Sequence, residues 1–278
     1  MTVKYERNEG VATITIAGAG PRHRLDPGLC AELNARLAAF DDDPTVTVCV
    51  LRGAGAAHFS AGATAWPAAT RTPISRPVKP VIAAITGDCL GEALAIVAQA
   101  SDVRIAGAGA RFGFPEDDGL GTLLARSRLL QQIPYAPLMA LLLTGESIDA
   151  AEALRIGLIT QVVPDAEVFT QALAIARRVD QLPPYTTRLE KTAILACEHL
   201  NAADAVYFGW AFDCMTHRHP DGLEGVSSWV EKREPHWADD YKPVGRGRSG
   251  RSARCPAAAR FISPPTDRIM PPRARRRR

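Results

Sequence analysis

The sequence predicts an α/β fold built in layers, with a helical module towards its C-terminal side. Three observations predict it. Apolar or alternating strand-like runs succeed helical runs over about the first 180 residues, and from Thr187 to Lys232 the pattern is helical only. The apolar share, 46%, suffices for a sizeable core, and 278 residues is the length of one large domain or two small ones.

The elements follow in order. Val11–Ile16 alternates and is β-branched, so it reads as a strand, closed by Gly18, Gly20 and Pro21. Asp26-Pro27 offers an N-cap and a proline at the first helical position. Leu29, Leu33, Leu37 and Phe40 then recur at helical spacing until Asp41-Asp-Asp-Pro44. Val46–Leu51 is apolar throughout and reads as a strand buried on both faces. A Gly/Ala-rich turn, 53–63, follows. Val81–Ile85 is again a strand, Gly87–Gly91 a loop, Glu92–Ala100 a buried helix and Val103–Ala106 a strand. Asp149 caps a short helix, Ala150–Ile156, that Gly157 ends, and Leu158–Val163 is strand. Asp165 is expected to cap a helix running to about Val179, and Pro183-Pro184 breaks the chain. This divides the sequence into a core over 1–186, a helical module over 187–243 and a tail over 244–278.

Composition excludes several classes. No run approaches ~18 consecutive uncharged apolar residues, so no membrane-spanning helix is expected. MTVKYERNEG carries no apolar export signal, which leads to the expectation of a cytoplasmic protein. The six cysteines lack CxxC spacing and read as small core hydrophobes, and no histidine pattern supports a metal site. The net charge of +3 hides an asymmetry: residues 245–278 hold eleven arginines and one acid (Asp267), net +10, leaving −7 for 1–244. The tail has no hydrophobic period and is expected to be disordered. A basic arm can hold nucleic acid by counterion release, or be an extension without a role; the second reading is preferred.

Three features carry candidate chemistry. Ser60-Ala61-Gly62-Ala63 and Gly87-Asp-Cys-Leu-Gly91-Glu92 are glycine-containing loops, and the second opens a helix whose first-turn N–H groups can meet an anion. Neither matches GxGxxG or GxxxxGK[ST], so a nucleotide-phosphate loop is unsupported. Two such loops can instead converge on one carbonyl oxygen and stabilise its oxyanion, while each alone is an ordinary tight turn. The third is Phe112-Gly-Phe-Pro-Glu116-Asp117-Asp118, where a carboxylate beside aromatic rings can become an acid/base near neutral pH. Asp117 and Asp118 read better as a solvated acidic loop. GxSxG is absent, so a serine triad is unsupported.

In this order the features resemble the crotonase superfamily, the enoyl-CoA hydratase/isomerase family, from about Val3 to Pro243. The matching segments are HFSAGA (58–63), KPVIAAITGDCLGEAL (79–94), SDVRIA (101–106), RFGFPE (111–116), LLLTGESIDAAEALRIGLITQVVP (141–164) and EGVSSWVEKREPHW (224–237). The resemblance implies a spiral of ββα units with a C-terminal helical trimerisation module. It also implies a homotrimer or hexamer, an acyl-CoA substrate and no cofactor beyond the substrate's own coenzyme A. Carried over by position, Ala63 and Glu92 supply the two oxyanion N–H groups and Glu116 is the acid/base. Ala61, Ala63, Trp229 and Lys232 meet the coenzyme, with Ser60-Ala61 at its adenine and Lys232 near phosphate.

The departures from the pattern are specific. The first of the two hydratase glutamates is Ala95 here, or Ile96 if the match shifts by one. Leu123-Leu-Ala-Arg-Ser replaces the usual proline and double glycine before Arg128, and Thr64 replaces the aspartate after the first loop. Water addition to a 2-enoyl-CoA has therefore lost one named acid. Glu116 then acts alone, or the Glu92 side chain shares the duty, or the reaction is double-bond isomerisation. A non-catalytic scaffold that holds CoA or RNA is the reading from another class.

Overall fold

The computed structural model describes residues 2–18, 20, 22–55, 57–62, 74–115 and 129–238. The chain divides into Met1–Lys242 and Pro243–Arg278, and only the first unit contains described residues. The Arg-rich tail lies outside them.

The strands are β1 (Thr2–Asn8), β2 (Val11–Ala17), β3 (Val48–Gly53), β4 (His58–Ala61), β5 (Val81–Ile85), β6 (Asp88–Leu90), β7 (Val103–Gly107), β8 (Arg111–Gly113), β9 (Ile148–Asp149) and β10 (Gln161–Val163). The α-helices are α1 (Pro27–Asp42), α2 (Glu92–Ala100), α3 (Tyr135–Thr144), α4 (Ala150–Arg155), α5 (Val168–Asp180), α6 (Pro184–Cys197), α7 (Ala202–Arg218) and α8 (Pro220–Glu231). Among the described residues one sheet has the order β1-β2-β3-β5-β7-β10, parallel apart from the β1–β2 hairpin. The second, β4-β6-β8-β9, is parallel except for β9.

Strand periodicity explains the apolar runs. Val48, Val50, Ile82, Ala84 and Ile105 face α5, which contributes Val168, Ala172 and Ala176. The alternate residues Cys49, Leu51, Val81, Ala83 and Ile85 enter the larger core with Leu29, Leu33, Leu37 and Phe40 of α1 and most of α2. Helix α1 starts as its sequence requires: the Asp26 carboxylate accepts from Leu29 N–H at 2.7 Å and Pro27 opens the first turn. At its other end the buried Lys79 ammonium donates to the carbonyls of Phe40 and Asp43. Helix α4 has its Asp149 cap, bonded to Glu152 N–H at 2.8 Å, and is followed by Gly157 at φ +80°.

Several expectations need correction. The strand expected at Val46 begins at Val48, because the Asp43 carboxylate turns Thr45 and Gly10 O takes Thr47 N–H before pairing starts. The Gly/Ala-rich turn contains β4, and the Gly87–Gly91 loop contains β6. Asp165 does not cap α5; its carboxylate accepts from Gly109 N–H at 3.1 Å, and a 3-10 turn, Asp165–Glu167, precedes the helix. Strand β10 starts at Gln161, since the Leu158 carbonyl is held by the Arg104 guanidinium at 2.9 Å. Strands β1 and β8 and helix α3 were not anticipated. For β1 a signal existed in the alternation Val3, Tyr5 against Lys4, Glu6, which Glu9-Gly10 turns into a hairpin with β2.

Beyond the core the chain is helical, with α6 packing on α7 and α7 on α8. Trp237 fastens the segment after α8 by donating to Gln181 O at 2.8 Å. The module presents much apolar surface: Tyr207, Trp210, Leu223 and Trp229 are each at least two-thirds exposed. No helix among the described residues is long and apolar enough to cross a membrane.

Candidate active site

Strands β4, β6 and β8 are parallel neighbours, and their C-terminal ends lie abreast. Ala61 pairs with Leu90, and Leu90 pairs with Gly113. From these three adjacent ends the chain continues into Gly62-Ala63, Gly91-Glu92 and Phe114-Pro115-Glu116. The three candidate features, about 25 residues apart along the sequence, thus leave one edge of one sheet. Ligands of α/β proteins collect at such carboxyl ends, where loops and helix N-termini meet.

The first loop is held from behind. Ala61 N–H donates to Arg22 O at 2.9 Å, Leu25 N–H to Gly62 O at 2.9 Å, and the buried Ser60 hydroxyl to His23 O at 2.8 Å. Gly62 takes φ +91°, a conformation that side-chain-bearing residues rarely adopt. Ala61 itself is buried. The second loop turns at Gly91, φ +55°, whose N–H donates to Gly113 O at 2.8 Å and so ties β6 to β8 at the site. Glu92 is the first residue of α2, and the N–H groups of a helix's first turn point out of its N-terminal end with the positive end of its dipole. The Glu92 carboxylate is near enough to Cys30 to reinforce burial, the main cause that raises that thiol to about 12.

Phe112 and Phe114, which precede Glu116 in the chain, are buried. Ala63, Thr64, Glu116, Asp117, Asp118 and the 123–128 segment lie outside the described residues. Ala95, where a second carboxylate was expected, is only 3% exposed on α2, and Ile96 is buried beside it.

Trp229 and Lys232 belong to another hollow, of about 710 Å³, lined by Ser228, Trp229, Val230, Lys232, Arg233 and Glu234. Trp229 is 81% exposed. Lys232 ends α8 in the left-handed conformation, φ +54°, its N–H turned back to Trp229 O and Ser228 O. The neighbouring Arg233 is committed: it holds Glu224 through both terminal nitrogens and Glu231 through Nε at 2.6 Å. That fork and the His236 N–H lower Glu224 to about 2. Among the described residues Lys232 has no ion-pair partner.

A family model described as enoyl-CoA hydratase/isomerase matches residues 68–240, well over half the chain. The chain belongs to the enoyl-CoA hydratase/isomerase family. Its relatives include an (E)-benzylidenesuccinyl-CoA hydratase of Thauera aromatica, 32% identical over 84% of this chain and 98% of that protein. A short-chain-enoyl-CoA hydratase of Clostridium acetobutylicum is 30% identical over 84% of this chain and 95% of its own. An enoyl-CoA hydratase/isomerase structure from Mycobacterium paratuberculosis superposes with a TM-score of 0.78 at 28% identity, covering 86% of this chain and 99% of that one. The fold is therefore the crotonase fold of this enzyme family, with its two sheets and C-terminal helices.

Sequence reasoning missed the residues that mount the site. His58 and Asp88 sit opposite one another at the far ends of β4 and β6, and Arg22 reaches Asp88 from the segment that holds Ala61. The position of His58 just before a Phe-Ser-Ala-Gly run was visible, but its partner was not.

Proposed function

We propose that this chain transforms an acyl-CoA thioester by proton transfer through an oxyanion-stabilised enolate. The backbone N–H groups of Ala63 and Glu92 hold the thioester oxygen, and Glu116 moves the proton. The observation that supports this reading most is the register Ala61–Leu90–Gly113, which starts both donor loops and the Glu116 segment from adjacent strand ends. Charge that develops on the oxygen then meets donors already fixed in place, so the enolate costs little reorganisation. A carboxylate that follows the buried Phe112 and Phe114 in the chain is suited to exchange a proton near neutral pH if that apolar character extends to it.

The coenzyme is bound at Ala61, Ala63, Trp229 and Lys232, with the Lys232 ammonium on a phosphate. Trp229 and Lys232 reach it from a neighbouring copy, which makes the assembly a homotrimer or hexamer. The large exposed apolar groups of α7 and α8 support self-association of the 187–243 module.

Hydration of a 2-enoyl-CoA is the leading reaction, in line with the relatives' activities. With Ala95 buried and unable to titrate, Glu116 takes the proton from water and returns it to the alpha carbon. The same observation favours a second reading: one carboxylate is enough to carry a proton between two carbons, which is double-bond isomerisation. Purified protein assayed against a panel of enoyl-, hydroxyacyl- and dienoyl-CoAs decides. Interconversion of enoyl- and hydroxyacyl-CoA supports the hydratase, and migration of the double bond without water uptake supports the isomerase. CoA or RNA binding without turnover overturns both in favour of a binding protein.

A further inference from the structure

Helix α2 is attached to both sheets. At its N-terminal end Gly91 N–H reaches Gly113 O of β8, in the four-stranded sheet. Its shaft is apolar: Ala93, Leu94, Ala95, Ile96, Val97 and Ala98 are all buried. Such packing has no directional bonds, so the position of the helix along its own axis is left to polar attachments at its ends. At the C-terminal end those attachments converge on Arg104, a residue of β7 in the six-stranded sheet that is only 7% exposed. Its Nη2 donates to Ala98 O at 3.3 Å and to Ser101 O at 3.4 Å, and Nε to the Ser101 hydroxyl oxygen at 3.0 Å. Ala98 O is among the last-turn carbonyls that a helix cannot satisfy by itself. Gln132, in the turn before α3, completes a triangle: its amide oxygen accepts from Arg104 Nη2 at 2.7 Å and its amide nitrogen donates to Ala98 O at 3.0 Å. Arg104 is fixed from the other side as well. Nη1 donates to Leu158 O at 2.9 Å, and the backbone pairs with Ala83 of β5 and exchanges bonds with the Thr160 hydroxyl.

We infer that Arg104 is a positioning residue for the reaction: it sets how far α2 reaches towards the site, and so where the Glu92 N–H stands. This rests on the proposed role of that N–H as an oxyanion donor. From Ala98 back to Glu92 is about 9 Å at the helical rise, and a continuous hydrogen-bonded helix passes an axial shift from one end to the other. The holding group has to be a fork. A guanidinium donates in several fixed directions at once, here to α2, to Gln132 and to Leu158 O, whereas an ammonium of the same charge acts as a point. Arg104 stays charged throughout and touches no reacting atom.

The test separates position from stability. Arg104→Lys keeps the charge and loses the fork; Gln132→Leu keeps Arg104 and removes one corner of the triangle. In protein labelled with ¹⁵N at glycine, the Gly91 amide signal should move in both variants, while that of Gly10, in the β1–β2 turn, stays in place. In turnover of an enoyl-CoA that the parent accepts, kcat should fall about tenfold in Arg104→Lys and about threefold in Gln132→Leu, with KM within about twofold, because a displaced donor is missed chiefly in the transition state. A merely structural arginine would lower the melting temperature and leave both readouts alone. Should Arg104→Lys fail to fold, Gln132→Leu and Ser101→Ala, which removes the acceptor of Nε, decide by the same two readouts. The inference is overturned if the Gly91 signal keeps its parental position in the folded variants, or if kcat keeps its parental value in them. If Gly91 moves but the parent turns over no acyl-CoA, the hold of Arg104 on α2 stands and the reading of the reaction fails.

Discussion

Lys191 Nζ of α6 lies 2.6 Å from the carboxylate of Asp102, at the junction of α2 and β7. The same carboxylate oxygen accepts from Val81 N–H at 2.8 Å, and the ammonium also donates to Lys79 O at 2.9 Å. One ion pair thus fastens the helical module to the core where β5 begins. Burial lowers Lys191 from its ordinary value, against the pull of Asp102.

Lys191→Ala should therefore destabilise the fold more than a surface substitution does. Breaking a buried pair costs ~3–5 kcal/mol, and partial exposure of Asp102 reduces this to about 2 kcal/mol. Adding Asp102→Asn to Lys191→Ala should cost less than the two single effects together. Urea unfolding of the four proteins measures the coupling; strict additivity would show that the pair contributes nothing.

Glu116→Gln keeps side-chain volume and removes the titrating group, so turnover should drop ~10²–10⁴-fold with little change in substrate affinity. Glu92 separates side chain from backbone. Glu92→Gln should be mild, whereas Glu92→Pro removes the N–H at a first helical position, where proline is tolerated. A loss of ~10²–10³-fold in kcat is the expected effect of removing one oxyanion donor. Full turnover in Glu116→Gln would move the acid/base role to Glu92.

Lys232 gives a test that separates charge from backbone. Lys232→Ala should weaken CoA binding by ~1.5–3 kcal/mol if the ammonium meets a phosphate. Lys232→Gly should weaken it equally, yet raise the melting temperature relative to Lys232→Ala, because glycine adopts φ +54° without strain. Calorimetric titration at low salt checks the first statement and thermal unfolding the second. Unchanged affinity in both variants would take Lys232 out of the coenzyme site.

Burial lowers Lys79 from 10.5 to about 8. Below pH 8 it is charged in both folded and unfolded chains. Between about 8 and 10.5 the folded form is neutral while the unfolded form still binds its proton, so unfolding takes up a proton and this contribution to stability rises with pH. The stability of the parent minus that of Lys79→Met should then grow by on the order of 2 kcal/mol across that window. The buried thiols of Cys30, Cys49 and Cys89 are shifted upward and act in the opposite direction, but they cancel in this difference. Parallel curves for the two proteins would mean that Lys79 stays charged in the fold.

Truncation after Val244 should leave the melting temperature within about two degrees, since a tail whose sequence has no hydrophobic period is expected to contribute under ~0.5 kcal/mol. A larger loss, or a change of assembly on a sizing column, would show that the Arg-rich tail packs.

Elements whose stabilising bonds are local were legible in the sequence. Helix α1 announces itself through Asp26, Pro27 and the Leu29–Phe40 stripe, and α4 through Asp149 and Gly157, because cap and helix lie within one turn of each other. Strand β5 and helix α2 were legible from unbroken apolar runs, which only a doubly covered strand and a buried helix can use. Strands β4, β6 and β8 are three or four residues long, and their hydrogen-bond partners are more than twenty residues away in sequence. No local pattern specifies such pairing. Asp165 shows the same limit: a cap residue by sequence, it bonds to Gly109, which only the fold brings to it. The sequence by itself determined which loops carry glycine, which residues titrate and which family they belong to. Tertiary structure alone decided that Ala61, Leu90 and Gly113 end side by side and that His58 faces Asp88, because register between distant strands is set by the shared core and not by neighbours along the chain.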